Sequence, residues 1–503
     1  MRSSPRDARL WTCVVVGALL ALPVAAAHHL NVVDAPGHEA RLALLRDVLL
    51  NGHPSPFYQV TSFFLPNIAF DVIGLSLTWL IDPESAARLF LAVTLLLAVA
   101  GTVVLNRVLF GRWSYVPLIS SLLAYNLEVS EGMLNCAFGL ALVPWALALR
   151  LKLRDSPFGV LAGIVIGAAL LFTHVFAFAT YAVLWLGILL DGWRTKSITP
   201  SQGAAKLTEL APAALLLLLM PHDPSSHIRY EPFFVAAKLS AIVKSLTCGS
   251  IAGDIAFVAG GLSFAILLAL SARAKLAAPL VPGLVMLSLL FLALPTELGQ
   301  ASYIDKRVPI AIAFIVIAAL DVEFRPTAAV AGLAGVVALA FVAKQVALTK
   351  LWHDMNPRID AAIAALDTLP RGAIILREEC DLADGLWGSY RALQPPLTHV
   401  AAYATLGQDR FDAGTWAIAG QQPIAVRPQY QAAYDLQMGD PWSSCGPDHA
   451  RTAMHRIRGV TDLDGGRAYY LFVIRPAVPR SYAGEATFVA GNGDFELYRV
   501  GRR

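Results

Sequence analysis

The run LWTCVVVGALLALPVAAA (residues 10–27) is followed, after six residues, by DAPGHEARLALLRDVL (residues 34–49). The first run is apolar over nearly the ~20 residues that a helix needs to cross a bilayer core. The second has a different character. Asp34, His38, Glu39 and Arg41 cluster at its head, and beyond them Leu42, Leu45 and Leu49 share one helical face while Arg41, Arg46 and Asp47 do not. That periodicity predicts a helix lying in the membrane interface. A carboxylate held just outside the membrane, at the start of such a helix, is where a membrane enzyme would keep its base.

The rest of the chain fits that beginning. Of 503 residues, 56% are hydrophobic and 15% charged, and the mean hydropathy is +0.59, which no soluble domain approaches. Apolar runs of about twenty residues recur, so the fold class is a polytopic α-helical membrane protein. A net charge of +3, scattered along the chain and without basic runs interleaved with aromatics, argues against a nucleic-acid partner. Arg2, Arg6 and Arg9 precede the first run, and Ala25–Ala27 end it with the small residues of a secretory cleavage site, although an uncleaved first helix is expected.

Inner loops carry the Lys and Arg excess. Arg107/Arg112, Arg150/Lys152/Arg154, Arg194/Lys196/Lys206, Arg273/Lys275 and Arg325 then thread eleven spans. These run over 10–29, 86–106, 114–128, 135–150, 157–173, 175–191, 207–220, 255–272, 279–295, 308–324 and 327–348, with the N-terminus inside and the C-terminus outside. The parity requires that Phe63–Ile81, interrupted by Pro66, Asp71 and Gly74, be a juxtamembrane or re-entrant segment. Residues 1–350 form the membrane domain, with a first outer loop over 31–62. Residues 351–503 form an extracytoplasmic α/β domain, with a helix over 358–369, strands over 373–377 and 467–475, and a hairpin turning at Gly491-Asn492-Gly493-Asp494. Cys380 and Cys445 lie in this domain and are a disulfide candidate in an oxidising compartment.

On this threading the polar groups collect at the outer face. Asp34 is either a helix N-cap, with Pro36 in the first turn, or a base; one geometry serves both. Glu128 and Glu131 present a second pair of carboxylates that either bind a metal, help activate an acceptor, or are simply solvated. His174 interrupts an apolar hairpin, either as a functional ionisable group or as a turn residue bonded to backbone. His222, His227, Arg229 and Tyr230 lie on a long outer loop that either closes over substrate or is plain surface. Near Tyr303, the adjacent Lys306 and Arg307 begin an outer helix end against the positive-inside trend, and binding a lipid phosphate is the simplest reason. A divalent metal is a possible cofactor; no ligand spacing defines one.

One helix, an outer loop with an acidic residue leading into a juxtamembrane helix, a second membrane-hugging stretch, and paired helices on short basic inner loops together resemble the GT-C superfamily of membrane glycosyltransferases. The branch it looks like uses polyprenyl-phosphate-linked sugars. The matching pieces are Asp34-x-x-x-His38-Glu39, the helix ending Asn106-Arg107-Val108-Leu109-Phe110-Gly111-Arg112, and the Lys306-Arg307 helix start. The resemblance implies that Asp34 is the first-loop carboxylate serving as base or positioning group, and that Lys306 or Arg307 contacts the donor phosphate. It implies an inverting transfer of a hexosyl or pentosyl group to an envelope glycan, lipid or protein, in an inner membrane. Adjacent acidic residues, frequent in the family, are replaced here by Asp34-Ala35. A transporter or lipid flippase and a non-catalytic envelope-assembly protein are the rival readings.

Overall fold

The computed structural model describes residues 5–220, 227–299, 301–379, 386–387, 390–391, 394, 397–407, 410–418, 420–438, 454–460, 467–474, 482 and 484–501. Cys380, Cys445 and His222 lie outside the described residues, and with them the disulfide candidate. The chain divides into two compact units: 1–26, 64–70 and 89–350 form one, and 27–63, 71–88 and 351–503 the other.

The first unit is helical. Among the described residues, seven helices are long and apolar enough to cross a membrane: Ala8–Ala26, Pro83–Phe110, Leu134–Lys152, Val175–Arg194, Pro200–Leu219, Ile251–Ala269 and Ala328–Asp367. Gly159–Thr173 and Ala278–Ala293 are shorter apolar helices. The protein is an integral membrane protein. Close helix packing is built on glycine: a Cβ on Gly187 would sit 2.2 Å from the backbone nitrogen of Gly283, so Val175–Arg194 and Val281–Ala293 meet backbone to backbone.

Two expectations for this unit are corrected. Residues 114–128 hold a 3-10 helix, Val116–Leu122, and a four-residue helix, Leu127–Ser130, in place of a spanning helix. Seven 3-10 residues reach only about 14 Å. Carbonyls left over by the break are satisfied by the buried Lys344, whose ammonium donates to Leu122 O at 2.7 Å and Tyr125 O at 2.8 Å. Within the expected outer loop after residue 220, Phe234–Ser245 forms a helix. By contrast Ala69–Leu77, inside Phe63–Ile81, is a nine-residue helix about 14 Å long, too short to span. Asn135 pins its start, accepting from Phe70 N at 2.7 Å and donating to Asn67 O at 2.8 Å.

The second unit is built on a five-stranded sheet in the order Thr487–Gly491, Phe495–Val500, Tyr469–Ile474, Ile374–Glu379, Phe411–Asp412. The central pair, YYLFVI and IILREE, runs parallel, and the former is buried at every position, as a strand covered on both faces must be. The hairpin turns where Asn492 Oδ1 accepts from Asp494 N at 2.7 Å, the local bond that makes Asn a turn former. Residues 27–63, which the sequence groups with the membrane helices, share this unit's core: Leu44, Leu45, Phe57 and Tyr58 pack with Ile374, Leu376, Phe411 and Leu471. Tyr58–Val60 also pairs antiparallel with Ile424–Val426. Burying an aromatic of this size contributes about 1.5–3 kcal/mol, so residues 27–63 are an integral part of the domain core.

Candidate active site

Helix Ala35–Leu49 begins at Asp34, with Pro36 in its first turn. Asp34 occupies the N-cap position but makes no side-chain cap bond. Its buried carboxylate is therefore not consumed by the helix end. Instead Oδ1 lies 3.2 Å from Nε2 of His399. The other ring nitrogen, Nδ1, receives a hydrogen bond of 2.7 Å from the Arg377 guanidinium. A guanidinium only donates, so neutral His399 carries its hydrogen on Nε2, facing Asp34. Arg377 is held in turn by Asp412, with Nε 3.4 Å from Oδ1, and by the carbonyls of Thr398 and Gly414. Only glycine fits at 414, since a Cβ there would overlap the guanidinium. The Trp416 ring meets His399 edge-on at 5.3 Å. Asp34, His38, Arg41, His399, Thr415 and Trp416, among others, line a shallow cleft at this point.

Behind the cleft the helix is locked by charge. Arg41 Nε donates to Asp71 at 2.6 Å, both groups being buried, and Arg41 also donates to His38 Nδ1 at 2.8 Å. Glu39 is buried and accepts from Tyr403 Oη at 2.9 Å. Burial first, and the nearby Glu84 charge second, push its carboxyl up to about 8. Burial thus favours the neutral form of Glu39.

The membrane unit gathers a second set. Glu128, in the short helix Leu127–Ser130, is buried and accepts from Cys136 Sγ at 3.4 Å; Glu131 follows it, also buried. His174 links two helices and accepts from Phe176 N through Nδ1 at 3.0 Å. Its neutral ring then carries hydrogen on Nε2, which faces Arg307 NH1 at 3.2 Å. Both groups are then donors, so this contact is not itself a hydrogen bond and both N–H groups keep the capacity to donate elsewhere. Arg307 also donates to Ser302 O at 2.9 Å, while its buried Nε has no partner among the described residues.

Lys306 is buried, with Nζ 3.8 Å from Asp305 and 5.0 Å from the Tyr303 ring centre. Asp305 is already paired with Lys238 at 3.1 Å. Tyr303 sits at φ +59° and starts the helix Ile304–Ala318. The loop candidates stand apart from these groups: Arg229 and His227 approach Glu297 at 3.2 and 3.9 Å, and Tyr230 donates to Ala293 O at 3.0 Å, all three being exposed. His399, Arg377, Asp412 and Tyr403 escaped the sequence reading, because each comes from a stretch with no local motif, more than 300 residues from the helix Ala35–Leu49.

No family model matches the sequence, and no curated protein matches it. Solved structures do. ArnT from Cupriavidus metallidurans bound to undecaprenyl phosphate aligns over 99% of this chain and 99% of its own, at 13% identity and a TM-score of 0.54. The fold of this chain is the fold of ArnT. ArnT in its apo state gives a TM-score of 0.53 at 12% identity, covering 99% of this chain and 100% of that one. The mycobacterial arabinofuranosyltransferase AftD is matched over 40% of its length, at 16% identity and a TM-score of 0.44.

Proposed function

We propose that this chain is an inverting membrane glycosyltransferase that moves a sugar from a polyprenyl-phosphate donor to an envelope glycan, lipid or protein acceptor at the extracytoplasmic face. The observation that carries the reading is the Asp34 carboxylate, buried at the head of its helix, unused by the helix cap, and set 3.2 Å from a histidine whose tautomer is fixed by Arg377. The full-length likeness to ArnT, solved with undecaprenyl phosphate, supports the donor class.

In the proposed step Asp34 accepts the proton of an acceptor hydroxyl as its oxygen attacks the anomeric carbon, and the bond from that carbon to the phosphate oxygen breaks with inversion. The phosphate leaves on its lipid. Charge that builds on it is stabilised by Arg307, with the His174 Nε2–H as a second donor and Lys306 adding positive potential. Glu128 and Glu131 are assigned to acceptor or metal binding, and His227, Arg229, Tyr230 and Tyr303 to a substrate loop. Because the donor carries the energy, no nucleotide site is required.

The test is purified full-length protein in lipid nanodiscs, offered a panel of undecaprenyl-phosphate pentoses and hexoses with envelope lipid and glycan acceptors. Mass spectrometry of the product and release of undecaprenyl phosphate are the readouts. Covalent transfer from one donor is expected. Lipid or sugar flux in sealed vesicles, with no covalent product from any donor, would replace this reading with a transporter.

A further inference from the structure

Away from the Asp34 cleft, the turn that follows the first helix brings His28 and His29 against Asp360. We propose that these three residues form a binding site for a single zinc-class divalent ion. The inference stands on its own geometry and does not depend on the glycosyltransferase reading.

Asp360 Oδ1 lies 2.9 Å from His29 Nε2 and 3.6 Å from His28 Nδ1. All three atoms fall within 4.8 Å of one another. In a tetrahedral zinc site with bonds of about 2.0–2.2 Å, neighbouring ligand atoms are roughly 3.3–3.5 Å apart, so the measured separations bracket what an ion would impose. Two imidazoles and a carboxylate suit zinc and its first-row neighbours better than magnesium or calcium, which take oxygen sets.

The second shell supports the same assignment. His29 is 8% exposed, and its Nδ1 has no hydrogen-bond partner among the described residues, yet it faces Glu84 Oε1 at 3.5 Å. A modest closure would make Nδ1–H donate to Glu84, leaving the Nε2 lone pair for the ion, the arrangement that orients metal-bound histidines. Asn356, one helical turn before Asp360, holds the His28–His29 backbone: its side-chain amide lies 2.8 Å from His28 N and 3.2 Å from His29 O. Arg88 bonds both Glu84 and the His28 carbonyl. The local charge of Asp360, Glu84 and Arg88 is thus one net negative. His28 and Asp360 are exposed on one side, which leaves the fourth position to water.

An ordinary ion pair between His29 and Asp360 is the competing account, and metal binding separates the two. Full-length protein carrying a tag without histidines is stripped with EDTA and titrated with zinc alone, with calorimetry and elemental analysis as readouts. Cobalt replacement reports four-coordinate geometry through its visible absorption. One zinc per chain is expected, with affinity reduced at least a hundredfold in both His28→Ala and Asp360→Asn, and about tenfold in Glu84→Gln. His28 is exposed, so His28→Ala leaves the fold intact, and an unchanged melting temperature without zinc verifies this. Absence of zinc binding by the wild type, or wild-type affinity in either ligand variant, overturns the site. Sugar transfer enters none of these measurements, so failure here and failure of the proposed activity are distinguishable.

Discussion

Replacing Asp34 with Asn separates the two roles that its position permits. If Asp34 were chiefly a helix cap, its side chain would bond a first-turn N–H, and losing such a bond costs about 0.5–2 kcal/mol. It makes no such bond. Asn also keeps an oxygen that can accept from His399 Nε2–H at the 3.2 Å separation now occupied by Oδ1. The variant should therefore melt within about 2 °C of the wild type. Catalysis is affected differently, because the amide is not basic and carries no charge. A general base contributes about 10²–10⁴-fold, so turnover should fall at least about a hundredfold, equivalent to about 2.7 kcal/mol in the barrier. The assay is initial-rate sugar transfer in nanodiscs on whichever donor the wild type uses, with thermal unfolding on the same preparation. A folded Asp34→Asn protein that transfers sugar at the wild-type rate refutes the assignment. A protein that loses several kcal/mol of stability would show instead that the carboxylate is structural.

Arg307→Ala should raise the donor concentration needed for half-saturation at least about tenfold and leave acceptor saturation alone, with Lys restoring only part because it cannot hold a phosphate in a fork; an effect on acceptor alone contradicts the role. Burial pushes the Glu378 carboxyl up to about 7 from 4.5, so the fold favours its neutral form. That contribution is complete below about pH 4.5 and is lost as pH rises through 7, which amounts to about 3 kcal/mol. Glu378→Gln should make the C-terminal unit more resistant to proteolysis than wild type at pH 8 and no more resistant at pH 4.5; parallel pH profiles would show that the residue does not titrate there. For topology, cysteines placed at Asn51 and Ser114 should react with an impermeant thiol reagent only at 51, and reaction at 114 from outside reverses the orientation.

Much of the membrane unit was legible because apolar length is a local property: the runs at 135–150 and 175–191 lie within helices, and those at 157–173 and 255–272 match the helices Gly159–Thr173 and Ile251–Ala269 to within a few residues at their ends. The reading failed where a distant group decides local structure. Residues 114–128 are apolar enough to span, but Pro117 and the capture of two carbonyls by Lys344, on a helix more than 200 residues later, break them into short turns. Phe234–Ser245 was passed over because Lys238 and Lys244 interrupt its apolar run; in the folded protein Lys238 is neutralised by Asp305. At the candidate site, Asp34, His38 and Glu39 stood out as a polar island in apolar sequence. Nothing local marked His399 or Arg377, whose relation to Asp34 exists only once the sheet has formed.

That dependence bears on how the protein is made. Tyr58, one helix beyond Asp34, donates its hydroxyl to the carbonyl of Asp412, 354 residues further along the chain. At synthesis rates of about 5–20 residues per second, the first outer loop waits roughly 20–70 s for the strands that complete its core. During that interval Leu44, Leu45 and Phe57 lack the sheet residues they finally pack against. A ribosome that stops before residue 411 would leave a chain with nearly all its apolar helices made and no assembled cleft, so the candidate site is among the last parts of the molecule to come into being.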